Sequence, residues 1–339
     1  MKAYELQGKG LEYIKQVERK KPEIKSHEVL VKIKAVSLNY RDYNIAIGKY
    51  RSNMTYPLIP LSDGAGEVVT VGESITAFSV GDRVAGTFFP YWDAGCVTPE
   101  RNMKALGGDM DGVLAEYVAF AETGLVHLPD SISYEEAATL PCAALTAWNA
   151  LFGKGNLQPG QTVLVLGTGG VSTFALQFAK AAGAKVIATS SSDDKLKKIK
   201  KLGADEIINY KKTPDWEKEV YQLTNKKGVD HVVEVGGAGT FSKSLRAVRV
   251  GGTISMIGVL TGISAPVETV LILSKSIDVQ GIYVGNRSQF IDMIRAIEKN
   301  NIRPVIDHVF DFGEVKKAYE TLEAAGHVGK IVIKVSSSY

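Results

Sequence analysis

The chemistry most visible in the chain is a phosphate-binding turn. The segment QTVLVLGTGGVSTFALQFAKAAGA, residues 161–184, places Gly167, Gly169 and Gly170 between a short apolar run and a helix-period run. A strand, a glycine turn and a helix start are the setting in which backbone N–H groups and the positive end of a helix dipole hold a pyrophosphate. Gly167 would allow the tight turn and Gly169 the close backbone approach, so Gly167, Thr168, Gly169, Gly170 and Val171 form the expected cradle. Val171, Phe174, Ala175, Phe178, Ala179 and Ala182 recur at helical spacing, and Gly183 ends the run. Ser172 stands where such turns often carry a third glycine. Its Cβ would loosen the packing of helix on strand, or its hydroxyl would meet the phosphate; the sequence leaves both open.

A dinucleotide with free ribose hydroxyls usually finds a carboxylate about 20 residues further on, at the end of the second strand. Here that strand runs into Thr189-Ser190-Ser191-Ser192, and the first acids are Asp193 and Asp194. A 2′-phosphate would meet no opposing charge at Ser190, with Lys195, Tyr210 and Lys211 in reach along the chain. The expected cofactor is NADP(H). Asp193 reads otherwise as a helix N-cap, and the remaining lysines between 197 and 201 as a solvated helix face.

These residues need a frame. From 161 onward, short β-branched runs at 163–166, 185–188, 206–208, 229–235, 253–257 and 277–282 alternate with helix-length stretches, the pattern of a doubly wound parallel sheet. Before about residue 135 the runs 28–35, 66–71, 83–88 and 114–119 are short and broken by Gly and Pro, which predicts a β-rich, barrel-like part. Beyond 284 a helix at 288–299, a strand near 305–310, a helix from 314 and a strand at 330–334 exceed what the sheet needs, and this tail is expected to return to the N-terminal part. The predicted fold class is therefore α/β, with 1–143 and 284–339 forming one domain and 144–283 the other.

Composition narrows the function classes. The 339 residues are 45% hydrophobic and 23% charged, ordinary for a globular chain, and the net charge of +3 gives no reason to expect nucleic acid. Cys96 and Cys142 cannot build a disulfide framework or a four-thiolate zinc site. The N-terminal Met-Lys-Ala-Tyr-Glu carries no apolar export segment. The most apolar stretch, 137–152, is too short to span a bilayer. A cytoplasmic protein without membrane contact is expected.

With the glycine turn following a β-rich N-terminal part, the chain resembles the medium-chain dehydrogenase/reductase superfamily throughout its length. The motifs that carry the resemblance are VSLNYRD at 36–42, PLSDGAGEVVTVG at 60–72, GDRVAG at 81–86, GVLAEY at 112–117 and PCAALTAW at 141–148, beside the turn itself. The resemblance implies a GroES-like catalytic domain around a Rossmann domain, and homodimers or homotetramers. Zinc-dependent members carry Cys where this chain has Asn39, His-Glu where it has Ser62-Asp63, and a second Cys matching Cys142. The structural-zinc cysteines are missing as well, so no metal is expected.

The zinc-free branch includes quinone oxidoreductases and enone reductases, and Asn39-Tyr40-Arg41-Asp42 is similar to theirs. Ser190, Lys195 and Tyr210 match positions around an NADP 2′-phosphate, Lys330 a cation near the cofactor phosphates, Thr146 a threonine near the nicotinamide, and Gly258-Val259 the backbone that holds its carboxamide. Arg287 departs from the commoner relatives. Without a Lewis acid, hydrogen bonds must stabilise the oxyanion that forms as hydride is transferred. Asn39 is the first candidate donor. Tyr40 and Tyr50 are candidate proton donors, Tyr50 matching the acid of enoyl thioester reductases, and Asp42 is a further candidate or a brace for the turn. The expected function is zinc-independent, NADPH-dependent reduction of a quinone or α,β-unsaturated carbonyl. An alcohol or aldehyde dehydrogenase with a degenerate Asp63/Cys142 metal site and a non-catalytic NADPH-binding sensor are the alternatives.

Overall fold

The computed structural model describes residues 1–50, 54–102 and 104–335. The chain divides into two compact units, Met1–Leu145 with Gly285–Tyr339, and Thr146–Val284.

In the first unit, seven strands among the described residues form one sheet: Ile306–Asp311, Lys330–Lys334, Glu28–Leu38, Asp63–Val71, Arg83–Gly86 and Leu125–His127 in that order, with Tyr117–Ala121 also paired to Glu28–Leu38. Glu28–Leu38 is its organising strand. It runs antiparallel to Asp63–Val71 over most of its length, and its far end, from Ala35 to Leu38, pairs with Lys330–Lys334. The predicted strand at 28–35 thus continues three residues to Leu38, because Lys330–Lys334 supplies hydrogen-bond partners that no local pattern announces. Ile33, Val36, Leu61, Leu114 and Tyr319 are among its fully buried core side chains. An antiparallel hairpin, Lys2–Leu6 with Ile14–Glu18, lies outside the sheet and was not among the sequence expectations.

In the second unit the strands Glu206–Asn209, Lys185–Ser190, Thr162–Leu166, Val229–Glu234, Val248–Met256 and Asp278–Gly281 lie side by side, all parallel. The order reverses after Thr162–Leu166, so the ends of this strand and of Val229–Glu234 flank the switch point where doubly wound sheets bind ligands. Leu164, Ile187, Val232, Leu245 and Ile254 are fully buried between sheet and helices. The α/β architecture expected from the alternating pattern is the one found. Among the described residues no helix is long and apolar enough to cross a membrane.

Candidate active site

The glycine turn leaves Thr162–Leu166 at Gly167, whose φ of +76° is open to glycine at little cost, and enters the helix Gly170–Ala181 with Gly169 as its N-cap. A Cβ built on Gly167 or Gly169 meets nothing within 4 Å. Nothing in the protein therefore requires Gly169 to lack a side chain, and no side chain caps the helix. Its first N–H groups lack intrahelical acceptors. Open space over free donors at a helix start fits a pyrophosphate. Ser172 follows neither reading the sequence left open: its hydroxyl donates to Leu166 O at 2.7 Å, tying helix to strand end, and its side chain is buried.

Lys185–Ser190 ends two residues later than the predicted run. Ser190 Oγ accepts from Ser192 N at 3.4 Å, and Tyr210 N donates to Ser190 O at 3.0 Å, so Ser190 and Tyr210 stand together. The N-cap of the next helix, Asp193–Lys201, is Ser192, not Asp193: Ser192 Oγ accepts from Lys195 N at 3.4 Å. Asp193 is instead held by Asn209 Nδ2 at 2.6 Å and Lys212 Nζ at 2.5 Å, which keep its carboxyl below the usual range. The acid closest to the strand end is thus already paired with a cation.

Glu234 was missed by the sequence reading. Fully buried at the end of Val229–Glu234, it accepts from Gly236 N at 2.8 Å, Gly237 N at 3.0 Å, Thr240 Oγ1 at 2.6 Å and Ser244 Oγ. A charged residue inside the apolar run VVEV was the available signal. Its backbone carbonyl also accepts from Gly258 N at 3.2 Å, while Val259 O accepts from Gly262 N at 3.1 Å. Among the described residues no hydrogen bond engages the Gly258 carbonyl or the Val259 N–H, an acceptor and a donor in adjacent residues, as a carboxamide requires. Thr146 is buried at the start of this unit.

The other group of residues belongs to the first unit. Asn39 joins the end of Glu28–Leu38 to the helix Tyr40–Ala46 as its N-cap. Asp42 braces that junction, its Oδ2 accepting from Asn39 N at 2.7 Å. At 1% exposure Asp42 lies behind Asn39. Burial is the main cause of its raised pKa, about 6, opposed by Arg41 and increased by Asp63.

The Asn39 side chain is oriented from the neighbouring strand Lys330–Lys334. Lys330 Nζ donates to Leu38 O at 2.6 Å and to Asn39 Oδ1 at 2.5 Å, and lies 3.8 Å from Asp63 Oδ2. An ammonium only donates, so the oxygen of Asn39 must face it and the amide nitrogen must point away. That nitrogen, Nδ2, is buried without a hydrogen-bond partner. Asp63 is fully buried, accepting from Ser62 Oγ at 2.7 Å and Cys142 N at 3.1 Å. Lys330, assigned by resemblance to the cofactor phosphates, is thus 3% exposed within this cluster.

Tyr40 is 43% exposed, its ring 6.1 Å from that of Tyr43. Tyr50 is partly buried against the core, with the Arg41 guanidinium 5.2 Å from its ring centroid. Arg41 also lies 4.6 Å from the Phe88 ring centroid and donates to Leu106 O at 2.9 Å. Arg287 donates to Leu125 O at 2.6 Å and pairs with Asp93 at 3.2 Å, which gives it a bracing place in this unit.

The donors at the three positions that carry zinc ligands in zinc-dependent relatives do not suit that metal. Zinc takes thiolate, imidazole or carboxylate. Asn39 supplies an amide and Ser62 a hydroxyl that donates to Asp63 at 2.7 Å, which leaves Cys142 as the one matching thiol. The Asp63 carboxylate already faces the Lys330 ammonium. Among the described residues no group of three or more His, Cys, Asp or Glu is arranged to hold a metal.

A parallel-sheet unit with a phosphate turn, joined to a β-rich unit carrying a buried polar cluster, defines a dinucleotide-dependent oxidoreductase. Residues 25–130 match the alcohol dehydrogenase GroES-like domain, and residues 170–299 the zinc-binding dehydrogenase family. A zinc-type alcohol dehydrogenase-like protein of Schizosaccharomyces pombe is 47% identical over 96% of both chains. An acryloyl-coenzyme A reductase of Metallosphaera sedula is 31% identical over 98% of this chain and 99% of its own. The crystal structure of an NAD-dependent alcohol dehydrogenase superposes with a TM-score of 0.92 at 33% identity, covering 99% of this chain and 100% of that one. A quinone oxidoreductase of Pseudomonas syringae superposes with a TM-score of 0.84 at 29% identity, covering 98% and 99%. The chain belongs to the medium-chain dehydrogenase/reductase superfamily and is an oxidoreductase of the kind that binds a nicotinamide dinucleotide.

Proposed function

We propose that the protein reduces a quinone or an α,β-unsaturated carbonyl with NADPH and without zinc. The observation that carries this reading is Asn39 Nδ2, a buried donor with no partner whose orientation is fixed by the cation on its oxygen. An unpaired buried donor costs roughly 1–3 kcal/mol, and an acceptor that places a developing oxyanion against it recovers that cost in the transition state. The donor set around Asp63 and Cys142 supports the absence of zinc, and the relatives include a quinone oxidoreductase and an acryloyl-coenzyme A reductase.

When bound, the reduced nicotinamide supplies the hydride. Asn39 Nδ2 donates to the acceptor oxygen as negative charge collects there. The acceptor gains one hydride at carbon and one proton overall. Tyr50, which matches the acid of enoyl thioester reductases, is the first candidate proton donor, and Tyr40 is the second. NADPH is favoured over NADH by the absence of a free carboxylate at Ser190, by the pairing of Asp193 with Lys212, and by the neighbouring Lys195 and Tyr210.

Homodimers or homotetramers would form through the open edge of the parallel sheet. Asp278–Gly281 is the last strand there, and Ile263 and Leu273, in the chain leading to it, are 88% and 80% exposed. Light scattering that reads the mass of one chain would remove this assignment. Two free cysteines, Cys96 exposed, fit a reducing cytoplasm.

The test is oxidation of NADPH by protein of measured metal content, with a quinone, an enone, an enal and an aldehyde as acceptors. Turnover of the quinone or enone by metal-free protein is expected. Turnover of the aldehyde alone, lost on chelation, would restore the alcohol dehydrogenase reading, and tight NADPH binding without any turnover would favour the sensor.

A further inference from the structure

Lysine is rarely buried fully unless its charge is paired, and Lys330 is 3% exposed at the start of the strand Lys330–Lys334, whose three middle residues are apolar. Its backbone is fixed by the register of that strand, which sets Ile331 opposite Leu38. From there its ammonium reaches the two residues at the end of Glu28–Leu38, donating to Leu38 O at 2.6 Å and Asn39 Oδ1 at 2.5 Å, with Asp63 Oδ2 at 3.8 Å. Two of the three N–H groups of the ammonium are taken by Leu38 O and Asn39 Oδ1, and Asp63, at 3.8 Å, is an ion-pair partner beyond hydrogen-bond reach. Asp63 balances the buried charge and is itself held by Ser62 and Cys142 N.

A cation on an amide oxygen draws electron density from the amide nitrogen. It makes the N–H groups better donors and prevents the amide from flipping. We propose that Lys330 is a positioning residue of the active site: it fixes and polarises the Asn39 amide so that Nδ2 meets the charge that develops on the substrate oxygen. The proposal rests on the reductase reading above and deepens it. It selects acceptors in which one oxygen collects the charge of the arriving hydride, as in an enolate or a hydroquinone monoanion. Asp63 lies opposite the lysine as its ion-pair partner, so Asp63, Lys330 and Asn39 act in series, with only Asn39 touching substrate.

The experiment compares the wild type with Asn39→Ala, the charge-balanced pair Asp63→Asn with Lys330→Met, and the triple variant. Removing both charges avoids leaving a lone buried ion, which would unfold the protein for trivial reasons. For the pair we expect kcat to fall about tenfold or more with the NADPH dissociation constant unchanged, and adding Asn39→Ala to the pair should cost nothing beyond Asn39→Ala alone. A raised NADPH dissociation constant, or a loss of kcat that persists in the Asn39→Ala background, would overturn the proposal and return Lys330 to the cofactor phosphates.

A second readout does not require turnover or the paired variant. In asparagine-labelled wild-type protein, the Asn39 Nδ2 protons, assigned by their loss in Asn39→Ala, should give two sharp, well-separated signals shifted downfield of exposed asparagines. Signals at the exposed-asparagine position would overturn the proposal. If the wild type reduces none of the acceptors but these signals are shifted, the reductase reading fails while the coupling of Lys330 to Asn39 stands.

Discussion

The two functional regions of this protein are built by opposite means. The phosphate turn works by lacking side chains: Gly167 and Gly169 leave open space over free backbone donors, within one continuous segment. The Asn39 cluster is built from the side chains of residues 39, 63 and 330, joined by the backbone N–H of Cys142, which donates to Asp63. The first tolerates sequence change around it as long as the turn and helix remain. The second depends on every member, because a buried charge or donor that loses its partner bears the full cost of desolvation.

The contrast can be tested by asking which parameter each region controls. Asn39→Ala should cost about 10²- to 10³-fold in kcat, the range for removing one oxyanion donor, with NADPH affinity retained in direct binding measurements. Tyr50→Phe should lower turnover on enones by about 10²-fold, again with NADPH binding nearly intact, if it supplies the proton; full activity would remove Tyr50 from the mechanism.

Asp42 sharpens the comparison through stability. Its pKa is raised from 3.8 to about 6 by burial. Below about pH 4 the folded and unfolded chains both hold its proton; between there and about pH 6 only the folded chain does. Stability contributed by this group is therefore present at low pH and lost as pH rises through that window. Urea titrations at pH 4 and pH 7 should show the wild type losing about 2 kcal/mol relative to Asp42→Asn, because at pH 4 the unfolded carboxyl is already more than half ionised. A difference that does not change with pH would mean that the carboxyl is not held protonated there.

In the other unit the effects should fall on binding. Gly169 has a negative φ and open space at its Cβ, so Gly169→Val should fold normally. It should nevertheless raise the NADPH dissociation constant about tenfold or more by filling the pyrophosphate site, with kcat at saturation little changed. Ser190→Asp should shift preference toward NADH by about tenfold or less, through repulsion of the 2′-phosphate. Unchanged selectivity would place the ribose elsewhere.

The parts of the molecule that were legible in sequence are those whose signal is local. The glycine turn, its helix and the alternating β-branched runs could be read because strand and helix periods and the conformational freedom of glycine are properties of neighbouring residues. The strand leading to Ser190 was legible for the same reason, although it runs two residues further than its apolar pattern. The N-cap was not: serine and aspartate cap helices about equally well, and what made Ser192 the cap was the pairing of Asp193 with Asn209 and Lys212 from beyond the next helix. Ser172 shows the same limit, since its hydroxyl found Leu166 O only once helix and strand were packed together.

The sequence by itself determined the superfamily and the α/β architecture, because both follow from local pattern and motif spacing. Only the tertiary structure decided which groups Lys330 and Asp63 meet. The hydrogen bond from Lys330 to Asn39 spans 291 residues and depends on the register of Lys330–Lys334 against Glu28–Leu38. A one-residue slip in that register would turn the lysine to the other face of the sheet. The partner of a buried charge is set by sheet pairing between distant segments, and no local sequence pattern encodes it.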